Sequence, residues 1–501
     1  MIRKSVAGLT VLSYLGSLLF IFGLLMIIPA LVHLLFPGPG RSLHIILSFT
    51  LPGFGVSGVG LLLTRKIIPG EVPSVQDGMI ITALAWLTVS LAGTIPLCLM
   101  LKQYSFIDIF FETTSGFTAT GMTVFKDLDL MPPAILFWRS FTQWIGGIGI
   151  LTFFLAVSFR GGSAAATLFV AENHKINANR PVPGIFNTIK IIWTIYASLT
   201  LAAFILLRLE GMPLFDALNH TLTLVSTGGF STHDASVAYF SGFTHGHLIE
   251  YTMILFMLMG GTNFLLHYKV GTGDWRALYR DYEMRLFWLL IAGAFCLIWF
   301  DLNLAHGDKL WSSWTTFHNH FRATLFQTVS LITSTGYALR PIHDPYYPAL
   351  ARQAFLMLMF IGGCVGSTAG GFKVLRIGIL WQALTSELKQ LSLSPKAIIP
   401  LVIQNKLISQ HEIQRICALL FAWIALVWTG TALTLACTDL NLCQAFSGML
   451  SAVSNMGPGF FTTRDLAAFP APVKLGYIFG MLAGRLEVLP VFVLCLGLVR
   501  R

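Results

Sequence analysis

The sequence predicts an all-α integral membrane protein: four parallel span–pore-helix–span repeats in a pseudo-fourfold arrangement, plus two N-terminal transmembrane helices. Composition, the spacing of apolar runs and a fourfold recurrence of one glycine loop lead to that class. Of 501 residues, 55% are hydrophobic and 11% charged, where a soluble domain carries roughly 25% charged residues. So few charges cannot cover a soluble chain of this size, and mean hydropathy is +0.74. Apolar runs recur from end to end, which excludes a disulfide scaffold, a disordered chain and a soluble body with one anchor. The seven cysteines follow no redox or metal spacing. Walker, dinucleotide, zinc and nucleophile-elbow motifs are all missing, so neither an enzyme nor a cofactor is expected.

A transmembrane helix needs about 20 mainly apolar residues. Ten stretches meet this, in order 9–35, 45–63, 79–101, 134–159, 191–207, 248–266, 286–302, 354–380, 416–437 and 475–498. The first follows Arg3 and Lys4, is too long for a secretory signal, and reads as a retained span that starts in the cytoplasm. Segment 134–159 contains Arg139, which is near the outer end and could snorkel. Segment 354–380 has a glycine-rich break followed by Lys373 and Arg376. Ten spans put both termini in the cytoplasm. Of the 32 Lys and Arg, 20 then lie inside and 11 outside or near the outer ends, as the positive-inside rule requires. The net charge of +10 is thus mainly a topology signal and implies no nucleic acid.

Four outer segments are too apolar for free loops and too short to span: Ile107–Thr123, Pro213–Asp234, Thr315–Leu339 and Asn441–Arg464. Each reads as a half-membrane re-entrant helix followed by a loop, which is allowed at depth where it lines a cavity or is buried in protein. One glycine aligns in each: Gly121, Gly228, Gly336 and Gly457, separated by 107, 108 and 121 residues. Thr120, Thr227 and Thr335 precede the first three; Asn455 and Met456 precede the fourth. Ser115, Ser330 and Ser451 lie six residues earlier, and repeat two departs with Leu222. A second landmark follows in each next span: Gly146-Gly147, Gly260-Gly261, Gly362-Gly363 and Ala483-Gly484. The units are 79–160, 161–270, 271–395 and 396–501, after an extension of 1–78. Each crosses the membrane twice, so the repeats are parallel and can surround one axis normal to the membrane; inverted repeats would need an odd number of spans.

Glycine loops in a membrane cavity can turn carbonyls inward, and four of them make rings that replace a cation's hydration shell. The helices would point their partly negative C-termini at that centre. Asp108 (with Ser105, a capping box), Asp216 and Asp439 suit the opposite ends. In repeat three, Thr333-Ser-Thr-Gly-Tyr337 approaches a Thr-Val-Gly-Tyr-Gly filter. His220 and His233 flank the second loop and read as local hydrogen-bonding groups.

Through these four loops, residues 79–501 resemble the Trk/Ktr/HKT superfamily of potassium transporters, and the two extra N-terminal spans resemble its bacterial TrkH/TrkG branch. The resemblance implies potassium uptake across the bacterial inner membrane, with potassium held by backbone carbonyls at Thr120, Gly121, Thr227, Gly228, Thr335, Gly336, Asn455, Met456 and Gly457. Gly121 stands where plant relatives carry a serine that goes with sodium preference. The run Ile361–Gly371 resembles the family's intramembrane gating loop, which implies gate residues Gly362, Gly363, Gly366, Ser367, Thr368, Gly370 and Gly371. Arg485 matches the family's pore arginine. A salt bridge to Glu487 is its bland alternative, although residues two apart do not face each other on a helix. The resemblance further implies a homodimer in membrane lipid and a cytoplasmic nucleotide-binding regulatory ring of the TrkA type, for which the basic segment Lys269–Arg285 offers a docking place. Coupled symport with protons or sodium, or a sodium-permeable pore, are the competing expectations. Few acids fall inside the spans, Glu487 being the clearest.

Overall fold

The computed structural model describes residues 2–38, 40, 42–66, 75–149, 152, 185–307, 311–393, 400–404 and 406–499. Arg160, Lys175, Arg180, Lys396, Arg500 and Arg501 lie outside them. The extension consists of α1 (Ile2–Leu25), α2 (Ile28–Leu35) and α3 (Ser42–Lys66). Here α1 and α3 pack closely because glycines face each other: a Cβ on Gly23 or Gly60 would run into the opposite helix. Without a hydrophobic drive between helices in lipid, such close approach is how spans associate.

Repeat one comprises α4 (Val75–Met100), the half-helix α5 (Phe106–Phe117) and α6 (Pro133–Ile148). Repeat two has α7 (Ile185–Leu209), the half-helix α8 (Leu214–Val225), α9 (Gly246–Gly261) and α10 (Phe264–Gly271). After the short α11 (Ala277–Arg280), repeat three runs through α12 (Tyr282–His306), α13 (Trp314–Ile332), α14 (Ala349–Ile361) and α15 (Val374–Gln390). Repeat four has α16 (Gln410–Cys437), the half-helix α17 (Leu442–Ser454), α18 (Thr463–Ala468), α19 (Ala471–Arg485) and α20 (Leu489–Val499). A two-residue antiparallel ladder, Val402–Ile403 with Lys406–Leu407, departs from the all-helical expectation.

Among the described residues, six helices are long and apolar enough to cross a membrane, and α9 with α10 would make a seventh across a 104° bend. Ten spans were expected, with Arg139 inside 134–159 and a glycine-rich break in 354–380. The second span of every repeat ends or breaks at or just past its glycine landmark. Helix α6 stops at Gly149 (φ +110°), α14 at Gly362 (φ +71°), and α19 gives way to Glu487 and Val488 with φ of +56° and +70°. The glycines that precede these breaks in repeats one, two and four are crowded. A Cβ on Gly146 would collide with the Phe117 carbonyl at the end of its own half-helix, and one on Gly484 with that of Val453. A Cβ on Gly147 would meet Ser226 at 2.7 Å and one on Gly261 would meet Thr333 at 2.7 Å, in each case the next repeat's half-helix. In repeats one and two the second landmark is therefore a packing notch for two half-helix ends, whereas Gly362 and Gly363 of repeat three pack against Gly370, Gly371 and Ala369.

Candidate functional site

Three of the four helices that lead to the glycine loops begin at a side-chain cap, and α8, which follows Pro213, does not. Ser105 and Asp108 form the expected capping box, and Asn441 forms another with Gln444, so Asp439 sits outside the helix it was expected to cap. At the other end each chain leaves the helix by one shared turn. Ala119, Thr227, Ser334 and Asn455 take φ of +52°, +51°, +52° and +51°. The next amides, of Thr120, Gly228, Thr335 and Met456, bond back to the carbonyls of Ser115, Thr223, Ser330 and Ser451 at 2.9, 2.8, 2.9 and 3.0 Å. Then come Gly121, Gly229, Gly336 and Gly457, with φ of +81°, +73°, +82° and +106°.

This geometry corrects the register of the second loop by one residue. Gly229, rather than Gly228, occupies the left-handed position that only glycine adopts readily. Gly228 stands where the other loops carry Thr120, Thr335 and Met456. Its own lack of a side chain has a different cause: Gln143 donates from Nε2 to the Gly228 carbonyl at 2.6 Å and accepts the Phe230 N–H at 3.1 Å. A Cβ on Gly228 would strike that amide. In the corrected register Leu222 is replaced by Thr223, and all four loops read hydroxyl-x-x-hydroxyl-x-x-Gly: Ser115, Thr118, Gly121; Thr223, Ser226, Gly229; Ser330, Thr333, Gly336; Ser451, Ser454, Gly457.

The four loops close on one another. A Cβ on Gly121 would collide with the carbonyl of Gly228, one on Gly229 with that of Thr335, and one on Gly336 with that of Met456. One on Gly457 would lie 2.9 Å from that of Thr120. Each glycine thus abuts the carbonyl before the glycine of the next loop, and the cycle returns to its start after four steps. All four left-handed glycines line one outer cavity of about 940 Å³.

Buried side chains brace this ring. Arg139 is 2% exposed and does not snorkel: its Nε meets Glu112 Oε1 at 2.8 Å, and its Nη1 donates to the Ser231 carbonyl at 3.1 Å. Glu112 also accepts from Thr123 Oγ1 and the Val124 N–H. The sequence reading missed this pair, and also Glu250, which holds Arg322 at 2.5 Å. Tyr337 reaches from loop three to the Thr223 hydroxyl and the His220 carbonyl behind loop two, while Ser330 Oγ donates to the Tyr337 carbonyl at 2.7 Å. His220 contacts the Asp216 carbonyl and Ser231 Oγ, as a locally satisfied histidine should. His233 does more. It pairs with Asp129 of loop one, lies 3.4 Å from Asp216, and stacks on Tyr239. Burial alone would lower its pKa; the two carboxylates outweigh that and raise it, while His233 in turn holds Asp129 below its ordinary value.

Below the ring lies the run Gly362–Lys373. The N–H groups of Cys364 and Thr368 bond to the Gly261 and Gly260 carbonyls, and that of Gly371 to the Ser454 carbonyl. Gly370 N–H bonds Ser334 Oγ at 2.5 Å. Glu283 Oε1 takes the Val365 and Leu375 N–H groups at 2.6 and 3.3 Å. The run is thus tied to repeats two and four as well as its own. Arg485 reaches the Thr368 carbonyl at 2.9 Å and the Gly146 carbonyl at 2.6 Å. Glu487 pairs with Arg376 of repeat three at 2.5 Å. Arg485 and Glu487, with Asn455, Gly370 and Gly371, line an inner cavity of about 70 Å³.

Fold and site together define a class: helical membrane proteins in which four helices and the loops after them converge on one central ring. The sequence profile of the TrkH family, described as a cation transport protein, matches residues 58–498. The chain is 34% identical over 490 residues to the Trk system potassium uptake protein TrkH of Salmonella typhimurium, covering 96% of each. It is 30% identical over 487 residues to TrkG of Escherichia coli, again covering 96% of each. The crystal structure of the potassium transporter TrkH from Vibrio parahaemolyticus superposes with a TM-score of 0.82 at 30% identity, covering 97% of this chain and 98% of that one. The chain belongs to the TrkH family of cation transport proteins.

Proposed function

We propose that this chain is a potassium-uptake subunit of the bacterial inner membrane that passes the ion through the centre of its four-loop ring. The closed cycle of glycine-to-carbonyl contacts carries the reading, because a ring of backbone carbonyls around one axis is how a pore replaces a cation's hydration shell. The relatives named for potassium uptake support the choice of ion. In this reading Gly121, Gly229, Gly336 and Gly457 with the carbonyls of Thr120, Gly228, Thr335 and Met456 select the ion, and the run Gly362–Gly371 with Arg485 gates it. The contrast between about 940 Å³ above the ring and about 70 Å³ below it supports a gate on the inner side. Both termini face the cytoplasm, two copies assemble in lipid, and a nucleotide-binding ring docks at Lys269–Arg285. Glu112 and Glu250 already hold arginines and Glu283 holds backbone N–H groups, which favours a conducting pore over a proton-coupled relay. Flux in reconstituted vesicles with potassium, rubidium, sodium and lithium compared tests this. Potassium and rubidium are expected to move fastest; equal rates for all four ions overturn the filter, and a potassium flux that follows an imposed proton gradient overturns the uncoupled pore.

A further inference from the structure

We infer that Gln143 is a positioning residue for ion selection: acting through the Gly228 carbonyl, it biases the ring toward large alkali cations and against sodium. The inference deepens the transport reading and rests on it. Gln143 is buried on α6, and its single amide grips loop two on both sides of Gly229. Nε2 donates to the Gly228 carbonyl at 2.6 Å, and Oε1 accepts the Phe230 N–H at 3.1 Å. One helical turn earlier, the Arg139 guanidinium lies 4.1 Å from the centre of the Phe230 ring and donates to the Ser231 carbonyl. One face of α6 therefore holds loop two at residues 228, 230 and 231.

Loops one and three are held differently. Thr120 and Thr335 pair through their hydroxyls with Thr118 and Thr333 of their own loops, at 2.7 and 2.8 Å. Gly228 occupies the same position without a side chain, and α6 supplies the missing tie. The residues that match Gln143 in the other second spans, three before the first landmark residue, are Met257, Met359 and Gly480, none of which carries an amide. Among the described residues, the Gly228 carbonyl is the one member of the ring with a side-chain donor. Two effects follow, with the same sign. A carbonyl that already accepts an N–H presents a weaker field to an ion, and a weak field favours the larger cations, which shed hydration water more cheaply. An amide fixed to α6 on both sides of Gly229 also keeps loop two from closing on a smaller ion. Because Gly121 abuts the same carbonyl, a shift at Gly228 is passed to loop one.

The test is the ratio of rubidium to sodium flux per folded protein in vesicles, with melting temperature, for the wild type, Gln143→Met, Gln143→Leu and, as a control at the matching position of repeat two, Met257→Leu. Both Gln143 variants fill the space without an amide. Their ratio is expected to fall several-fold, chiefly because sodium flux rises, whereas the volume-conserving Met257→Leu keeps the wild-type ratio. A packing role alone lowers melting temperature and total flux together at an unchanged ratio, and an unchanged or higher ratio in the Gln143 variants overturns the inference. So does an equal fall in Met257→Leu, or failure of both Gln143 variants to fold. Any of these results beside a selective wild type strikes this inference alone. A wild type that passes neither ion, or both equally, overturns the transport reading and this inference with it.

Discussion

Adjacent glycines in the second loop serve different masters, and substitution separates them. Alanine at Gly229 must hold φ +73° and collides with the Thr335 backbone carbonyl; the left-handed backbone alone costs roughly 1–2 kcal/mol. Alanine at Gly228 collides with the Gln143 side chain, which can be shortened. Gly228→Ala is therefore expected to regain melting temperature when combined with Gln143→Ser, whereas Gly229→Ala loses flux and no change at Gln143 restores it. Rescue of both would return the register to Gly228. The pair Arg139–Glu112 supplies a second expectation. Breaking a buried ion pair by removing one partner costs about 3–5 kcal/mol, because a charge is stranded. Arg139→Gln should melt far below the wild type, and the double variant with Glu112→Gln should recover much of the loss; additive losses refute the coupling. Neither feature was fully legible beforehand. Thr-Gly-Gly offers two alignments, and only the backbone angle decides between them, although the hydroxyl three and six residues before each glycine would have pointed to Gly229. For Arg139 the sequence reports depth along a span but not which way the side chain faces.

Among the elements, the half-helices were the most legible, since short apolar runs that cannot span have few other homes. Breaks in the second spans were legible only at Gly362–Gly371, where glycines cluster. At Arg485 the helix breaks through Glu487 and Val488, residues with no breaker character, where Gly484 packs against the Val453 carbonyl. Tertiary crowding overrides local preference there. The outer connections carry a pH expectation. His233 joins Asp129, in the segment after loop one, to Asp216 of α8, next to Asp234, whose pKa burial and Asp129 raise. The His233 pKa is raised above 6.5 in the folded protein, so its stabilising contribution is complete below about pH 6.5 and is lost as pH rises through the raised value. Asp129, held low, loses its share only in acid. The melting temperature of the wild type should fall more between pH 6 and pH 9 than that of His233→Gln. Parallel curves would remove His233 from the account.

For the whole molecule, the fourfold recurrence of one glycine loop was the legible signal, and the four loops meet in one closed ring. Which side chains close that ring was not legible, because the partners are 72 to 366 residues apart. Each boundary between neighbouring repeats has its own tie. Arg139 bonds the Ser231 carbonyl between one and two, Glu250 holds Arg322 between two and three, Glu487 holds Arg376 between three and four, and Lys474 meets Asp108 at 2.5 Å between four and one. The last pair joins the two ends of the repeat array, where no peptide connects neighbours, so it can be tested for closure itself. Asp108→Lys places two cations together across that boundary, and Lys474→Asp places two carboxylates. For a pair that is mostly buried but reaches solvent, each change should cost about 1–3 kcal/mol, between the surface and buried limits. The double variant, Asp108→Lys with Lys474→Asp, restores opposite charges. Its recovery should stop short of the wild type, because Asp108 also accepts the Ser105 N–H in the cap of α5, and losing such a cap costs about 1 kcal/mol. Potassium flux should follow the melting temperatures, low in both single variants and partly regained in the double. A double variant no better than the worse single would mean that the boundary between repeats four and one is held by apolar packing, with the ion pair merely lying across it.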